Sequence, residues 1–237
     1  MDKLRLGNYE FDSRFILGSG KSSVYSKELI DAAVSDAGAE LVSVVVAGLE
    51  KDDSVLSMIP EGVAILPNTL GASNAEEAIK LAHLSREMGF GEMIKIEIMH
   101  DSKYLLPDNA ETIKATGILA EEGFTVMPYM YPELSTAVDL YKAGASALMP
   151  LASPSGSSKG LATRDFIKIL IEEIDLPIIV DAGIGKPSQA CEAMEMGADA
   201  VMINTALAKA TNIPVIASAF KKAIEAGHLA YLSHGRI

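Results

Sequence analysis

Eight short apolar runs, helix-spaced segments between them, and a length of 237 residues together predict an α/β fold, a single (β/α)8 TIM barrel. An open doubly wound sheet is the rival, but eight strands exceed what most open sheets use at this length. A recurring step adds support. Gly38-Ala39, Gly144-Ala145 and Gly197-Ala198 each follow a helical pattern and lead into an apolar run. One helix-end, short-turn, strand device is being reused. No linker rich in proline, serine or charge divides the chain, so residues 1–237 read as one catalytic domain.

The elements follow in order. Phe15-Ile16-Leu17-Gly18 is the first predicted strand, followed by Leu41 to Ala47 and Val63 to Pro67. Asn74 before Ala75 marks a helix start, and Ala75, Ala78, Ile79, Ala82 and His83 share one face of that helix. The fourth strand runs from Met93 to Ile98, the fifth from Thr125 to Pro128, and the sixth from Ala147 to Pro150. The stretch from Ser153 to Gly160 reads as a long βα loop, which on a barrel lies at the active face. The seventh strand is Pro177 to Asp181, and Ser188 preceded by Pro187 marks the next helix start. Ala200 to Asn204 is the eighth strand.

Composition narrows the function. With 20 basic and 32 acidic side chains the net charge is −12, which argues against nucleic acid. A local pocket for a small anion stays open. The single cysteine, Cys191, excludes an internal disulfide and a thiolate metal cluster and fits a reducing compartment. The four histidines are scattered, so no metal site is expected. No apolar stretch reaches membrane-spanning length, and the start lacks a signal-peptide core, so the protein is expected to be soluble and cytoplasmic. Cys191 reads as a buried small hydrophobe, His83 as packing, the methionines as core filler, and Glu50-Lys51-Asp52-Asp53 as a solvated loop.

The fourth strand carries the chemistry. In Ile94-Lys95-Ile96-Glu97-Ile98 the side chains alternate, and parallel strands are covered on both faces. The isoleucines are expected to pack on the outer helices, leaving Lys95 and Glu97 to point into the barrel. One reading is a catalytic lysine whose pKa falls in a low-dielectric pocket, ready for imine formation, with Glu97 as acid/base. The other is a structural ion pair plugging the barrel. Asp181 ends an otherwise apolar strand at the C-terminal rim. It reads as a second acid/base, or as a turn carboxylate for the helix near Pro187. The loops Ala182-Gly183-Ile184-Gly185 and Asn204-Thr205-Ala206 follow strands seven and eight, where barrels hold phosphate. Ordinary turns leading into helices are the alternative. His100-Asp101 follows the lysine strand and either orients substrate or forms a solvated loop pair.

These strings resemble the bacterial thiazole synthase family over nearly the whole chain. Ile94-Lys95-Ile96-Glu97, Gly123-Phe124 with Pro128-Tyr129, and Met149-Pro150-Leu151 carry the resemblance. The most specific strings are Val180 to Ser188 and Asn204 to Ala208. The resemblance implies that Lys95 forms a Schiff base with the ketone of 1-deoxy-D-xylulose 5-phosphate, with Glu97 and Asp181 moving protons. It implies sugar-phosphate contacts at Gly156, Ala182, Gly183, Asn204 and Thr205. It implies sulfur delivery by a small carrier protein ending in a Gly-Gly thiocarboxylate, 2-iminoacetate (dehydroglycine) from a further enzyme, a homotetramer, and no organic cofactor. Four places depart from the family, one of them an extra residue in the tail before Gly235-Arg236-Ile237. Its Arg-Arg pair is replaced by Ala47-Gly48-Leu49-Glu50, its Gly-Asp by His100-Asp101, and its P-I-G-S-G loop by Pro154-Ser155-Gly156-Ser157-Ser158. A Schiff-base aldolase or lyase on another sugar phosphate, or a non-catalytic barrel binding a phosphorylated ligand, are the competing readings.

Overall fold

The computed structural model describes residues 2–19, 25–49, 54–101 and 103–234. Two short strands, β1 (Leu4–Leu6) and β2 (Tyr9–Phe11), form an antiparallel hairpin. The barrel strands are β3 (Phe15–Leu17), β4 (Leu41–Val45), β5 (Ala64–Asn68), β6 (Met93–Ile96), β7 (Thr125–Met130), β8 (Met149–Pro150), β9 (Ile179–Val180) and β10 (Ala200–Ile203). Each falls on a run expected from the sequence, with ends trimmed or extended by one or two residues. They pair in parallel in the order β8-β7-β6-β5-β4-β3-β10-β9. The bridges Leu148↔Ile178 and Leu151↔Asp181 then join the two ends of the sheet. Four backbone hydrogen bonds of 2.8–3.0 Å hold that junction, among them Asp181 N–H to Pro150 O and Ala152 N–H to Asp181 O.

Helices return the chain between strands. They are α1 (Lys27–Asp31), continued by a π-helical turn over Ala32–Asp36, then α2 (Ser54–Met58), α3 (Ala75–Glu87), α4 (Asn109–Glu121), α5 (Leu134–Lys142), α6 (Arg164–Glu173), α7 (Pro187–Glu195), α8 (Thr205–Ala208) and α9 (Ile213–His234). Asn74 caps α3 as expected, its side chain accepting from Glu77 N–H at 3.0 Å. The start near Ser188 is corrected by one residue. Pro187 is itself the first residue of α7, where its missing N–H costs nothing, and Gln189 Oε1 accepts from Gly185 and Lys186 N–H.

The Gly-Ala device holds at all three places. Gly38, Gly144 and Gly197 have φ of +76°, +92° and +102°. The following alanine N–H reaches back six residues or five, as in Ala145 N–H to Leu140 O at 3.1 Å. Gly89-Phe90 and Gly123-Phe124 use the same closure, which a search for Gly-Ala alone passes over.

Alternation decides the two faces of each strand. Ile94, Ile96 and Ile98 pack outward against Ala75, Ala78 and Ala82 of α3 and Ala115 and Leu119 of α4. Small alanines let those helices lie close to the sheet. The inward residues Ile16, Leu41, Leu66, Met93, Met127, Met149, Ile179 and Met202 fill the lower barrel. Leu4, Leu6 and Phe11 join that cluster, so the hairpin plugs the barrel's N-terminal end. Burial of each such side chain contributes about 1.5–3 kcal/mol. Four of the methionines expected as filler, Met93, Met127, Met149 and Met202, sit in this interior. Cys191 is half-buried, not buried; its backbone carbonyl is what lies against Gly227 of α9. Residues 50–53 of the expected solvated loop lie outside the described residues.

Candidate active site

The register of β6 aims its two charges upward and inward. Lys95 pairs with Asn68 on β5 and with Met127 on β7, and it is the next inward residue beyond Met93 of the methionine-rich interior. Glu97 is the next inward position. Both are buried, at 3% and 6% exposure, and Asp181 at the end of β9 is 5% exposed. Lys95 Nζ lies 3.0 Å from Glu97 Oε2 and 2.5 Å from Asp181 Oδ2. It also lies 3.7 Å from Met202 Sδ and 5.0 Å from the centre of the Tyr129 ring.

The electrostatics correct the expected lysine. Burial does pull the Lys95 pKa down, as the sequence reading supposed. The adjacent charges of Asp181 and Glu97 outweigh that pull, and the ammonium ends above its ordinary value. The resting amine is therefore protonated. Asp181 moves upward as well, because burial and the Glu97 charge outweigh the attraction of Lys95. A buried ammonium thus faces two carboxylates, one of which is a better proton acceptor than an ordinary aspartate.

Glu97 is fixed by its neighbours. Asn68 Nδ2 donates to Glu97 Oε2 at 2.7 Å and to Ser19 Oγ at 2.6 Å. Asn68 Oδ1 accepts from Leu70 N–H at 2.9 Å, and Glu97 N–H donates to Thr69 Oγ1 at 2.9 Å. Asn68 and Thr69 directly follow the third predicted strand, Val63 to Pro67, and were missed as site residues. Their signal was position: they stand at the C-terminal end of a barrel strand.

The glycine loops close over this triad. Gly156, Ala182, Gly183, Asn204 and Thr205 line the same cavity as Lys95, Glu97 and Asp181, together with Ser19, Tyr129 and Ser158. All eight residues singled out from sequence thus surround one space. Asp181 Oδ1 accepts from Ala182 N–H at 2.6 Å, so Asp181 also serves its own turn, while Gln189 caps α7. Among the described residues the N–H groups of Gly156, Gly183 and Thr205 have no partner within the chain. The glycines also have a packing reason. A Cβ on Gly183 would meet Ser153 Oγ at 1.8 Å, and one on Gly185 would meet Ser158 Cβ at 2.7 Å. The long loop expected from Ser153 to Gly160 packs directly on the loop after β9, and Gly160 N–H donates to Gly183 O at 2.8 Å.

The remaining expected groups lie apart. His100 pairs with Asp108, the N-cap of α4, rather than with Asp101. Asp101 instead accepts from Lys103 and Tyr104 N–H in its own turn. His83 pairs with Glu122 at 2.5 Å and stacks on Phe124. A second, larger and mostly apolar cavity adjoins the first through Ser19, Glu97 and Ser155, and Gly48, Leu49, Met99 and His100 line it. No helix among the described residues is long and apolar enough to cross a membrane.

Known proteins with this pattern are numerous. A family model described as "Thiazole biosynthesis protein ThiG" matches residues 5–236. The chain is 64% identical over 234 residues to a thiazole synthase of Clostridium beijerinckii, spanning 98% of this chain and 90% of that protein. It is 61% identical over 241 residues to one of Fusobacterium nucleatum, spanning 100% and 92%. The Amycolatopsis orientalis BexX/CysO complex superposes with a TM-score of 0.87 at 34% identity, covering 98% of this chain and 96% of that one. A KDPGal structure with 19% identity and a TM-score of 0.62 shares the fold. A family match over almost the full length, with relatives above 60% identity, places the chain in the thiazole synthase family, the enzymes of thiamine thiazole biosynthesis.

Proposed function

We propose that the chain makes the thiazole phosphate from 1-deoxy-D-xylulose 5-phosphate, 2-iminoacetate and the thiocarboxylate of a small sulfur-carrier protein, through a Schiff base on Lys95. The observation that carries this reading is one buried amine between two carboxylates, beneath a ring of glycine-rich loops. An ion pair serving only structure has no use for such a cavity, or for N–H donors at its mouth that have no partner among the described residues.

The sugar phosphate enters with its phosphate toward Gly156, Ala182, Gly183, Asn204 and Thr205, whose backbone and side-chain donors suit an anion. Its ketone then faces Lys95. The ammonium passes a proton to Asp181, the nearest acceptor at 2.5 Å, and the freed amine attacks the carbonyl carbon. Loss of water leaves the imine. Glu97, held by Asn68 and Thr69, takes the proton from the neighbouring carbon as the imine rearranges. The adjoining apolar cavity gives the sulfur donor and 2-iminoacetate a route to that carbon. The chemistry is a sulfur-transferring synthesis, and one barrel supplies the whole of its reacting surface. A relative's structure being a complex of two proteins, BexX and CysO, supports a protein partner here.

Borohydride reduction in the presence of 1-deoxy-D-xylulose 5-phosphate, read by peptide mass spectrometry, tests the reading. The expected result is a reduced adduct on Lys95. Its absence overturns the Schiff-base reading. An adduct followed by turnover without any thiocarboxylate would instead favour a lyase on the sugar phosphate.

A further inference from the structure

Tyr129 lines the cavity, and its hydroxyl has no hydrogen-bond partner among the described residues. It is an inward residue of β7, two positions beyond Met127, the register partner of Lys95. It is 1% exposed, and its hydroxyl is buried with no partner among the described residues. Nearly every buried hydroxyl in a folded protein is satisfied, and one that is not carries a cost in the free protein. The ring faces the Lys95 ammonium at 5.0 Å from its centre, a contact that a phenylalanine ring would make as well. The hydroxyl needs another explanation.

Its ionisation state says which kind of partner it takes. Burial, and then the charges of Asp181 and Glu97, push the phenol well above its usual pKa, so it stays neutral and donates. The two groups in ion-pair contact with the Lys95 amine, Glu97 and Asp181, are both carboxylates. Glu97 and Asp181 offer oxygen acceptors, and Lys95 is consumed as the nucleophile. Addition of an amine to a ketone moves the carbonyl electron pair onto oxygen, and that oxygen needs a donor.

We propose that Tyr129 is a further catalytic residue, whose neutral hydroxyl donates a hydrogen bond to the substrate's ketone oxygen as Lys95 attacks the carbonyl carbon. The inference rests on the Schiff-base reading of Lys95. The balance is simple. The Lys95 ammonium and the ketone give a protonated imine and one water. The two protons that nitrogen loses leave with oxygen, carried by Asp181. Tyr129 holds the oxygen throughout and is neither consumed nor ionised.

Tyr129→Phe in the full chain tests this, with the rate of borohydride-trapped adduct and the thermal midpoint measured side by side. The expected result is adduct formation slowed by roughly 10²-fold, as for loss of an oxyanion donor, with the midpoint unchanged or higher because a costly unpaired group is gone. A fluorinated tyrosine at position 129 keeps the shape and lowers the phenol pKa. It should move the alkaline fall of the adduct rate to lower pH, which a packing role would not do. Adduct formation by Tyr129→Phe at the unsubstituted rate, or a slowed rate accompanied by a fallen midpoint and an unmoved alkaline limb for the fluorinated chain, overturns the proposal. No adduct in the unsubstituted chain overturns the Lys95 reading itself, and this inference with it.

Discussion

Asp181 Oδ2 lies 2.5 Å from Lys95 Nζ, across the barrel mouth from the end of β9 to the inner face of β6. This contact decides the protonation state of the amine. Without its carboxylate neighbours, burial alone would lower the lysine pKa. With them, the amine stays charged until a neighbour accepts its proton.

A pH dependence follows. Asp181 must be ionised to accept that proton. Its pKa lies above the ordinary 3.8, chiefly from burial, so the acidic fall of the adduct rate should begin above that value. The sign is fixed: protonated Asp181 at low pH cannot accept, and the rate declines as pH falls. Asp181→Asn should slow adduct formation by roughly 10²–10⁴-fold and remove this acidic limb. The rate of trapped adduct against pH checks it, and an unchanged limb in Asp181→Asn would reassign the acceptor.

Lys95→Arg keeps a buried positive charge between Glu97 and Asp181 but has no amine that ionises near neutrality. Folding should survive with a modest loss, and adduct should vanish. Thermal melting and mass spectrometry together check this. Persisting turnover would return Lys95 and Glu97 to a structural ion pair.

Asn68 clamps the second carboxylate through a single amide nitrogen shared by Glu97 and Ser19. Asn68→Ala leaves Glu97 Oε2 buried with Lys95 as its remaining charged neighbour, at an expected cost of about 1–3 kcal/mol. If Glu97 acts after the imine forms, trapped adduct should persist while turnover drops by roughly 10-fold or more. Urea titration and parallel adduct and turnover assays measure both effects. Equal losses of adduct and turnover would place Asn68's influence on Lys95 instead.

The barrel was legible because its signals are local. Ile94-Lys95-Ile96-Glu97-Ile98 alternates, and a covered parallel strand leaves such charges only one place to go. Gly38-Ala39 and its repeats announced where helices end. The long-range pairings were less legible. Asn68 looked like the residue after a strand, since only the register with Lys95 shows what its amide touches. The β1–β2 hairpin lies in a start that the sequence reading described only as lacking a signal-peptide core. Its Leu4-Arg5-Leu6 and Tyr9-Glu10-Phe11 alternate around Gly7, which was a usable signal. The raised pKa of Lys95 depended on a distance across the barrel that spacing along the chain does not encode.

Gly183 tests whether the loops over the site are packed or merely adjacent. Its φ is +78°, and an added Cβ would meet Ser153 Oγ at 1.8 Å and Ser153 N at 2.8 Å. Gly183→Ala should destabilise the protein by about 2–4 kcal/mol, combining overpacking with left-handed strain. Adding Ser153→Ala removes the hydroxyl contact and should recover part of the loss. Denaturant midpoints of the two variants measure the difference. Full stability in Gly183→Ala would mean that the Ser153–Gly160 loop moves aside without cost.

At the opposite end of the barrel, Asp2 ties the hairpin's leading edge to the body. Its carboxylate meets His228 Nε2 at 2.9 Å and Arg14 Nη2 at 3.1 Å, while Arg14 Nη1 donates to Asp199 O at 2.7 Å. The hydrogen bond from His228, with help from the Arg14 charge, holds Asp2 below its usual 3.8 despite partial burial. A lowered folded pKa contributes stability above the usual value and loses it as pH falls through the folded one. Asp2 is largely exposed, so solvent screening keeps the effect small. Asp2→Asn should lower the thermal midpoint by about 1–4 °C at pH 7, and the gap should close as the pH falls below 3.8. Paired melts of the two chains across that range decide it. A gap that widens on acidification would show that the contact is not held by the ionised carboxylate.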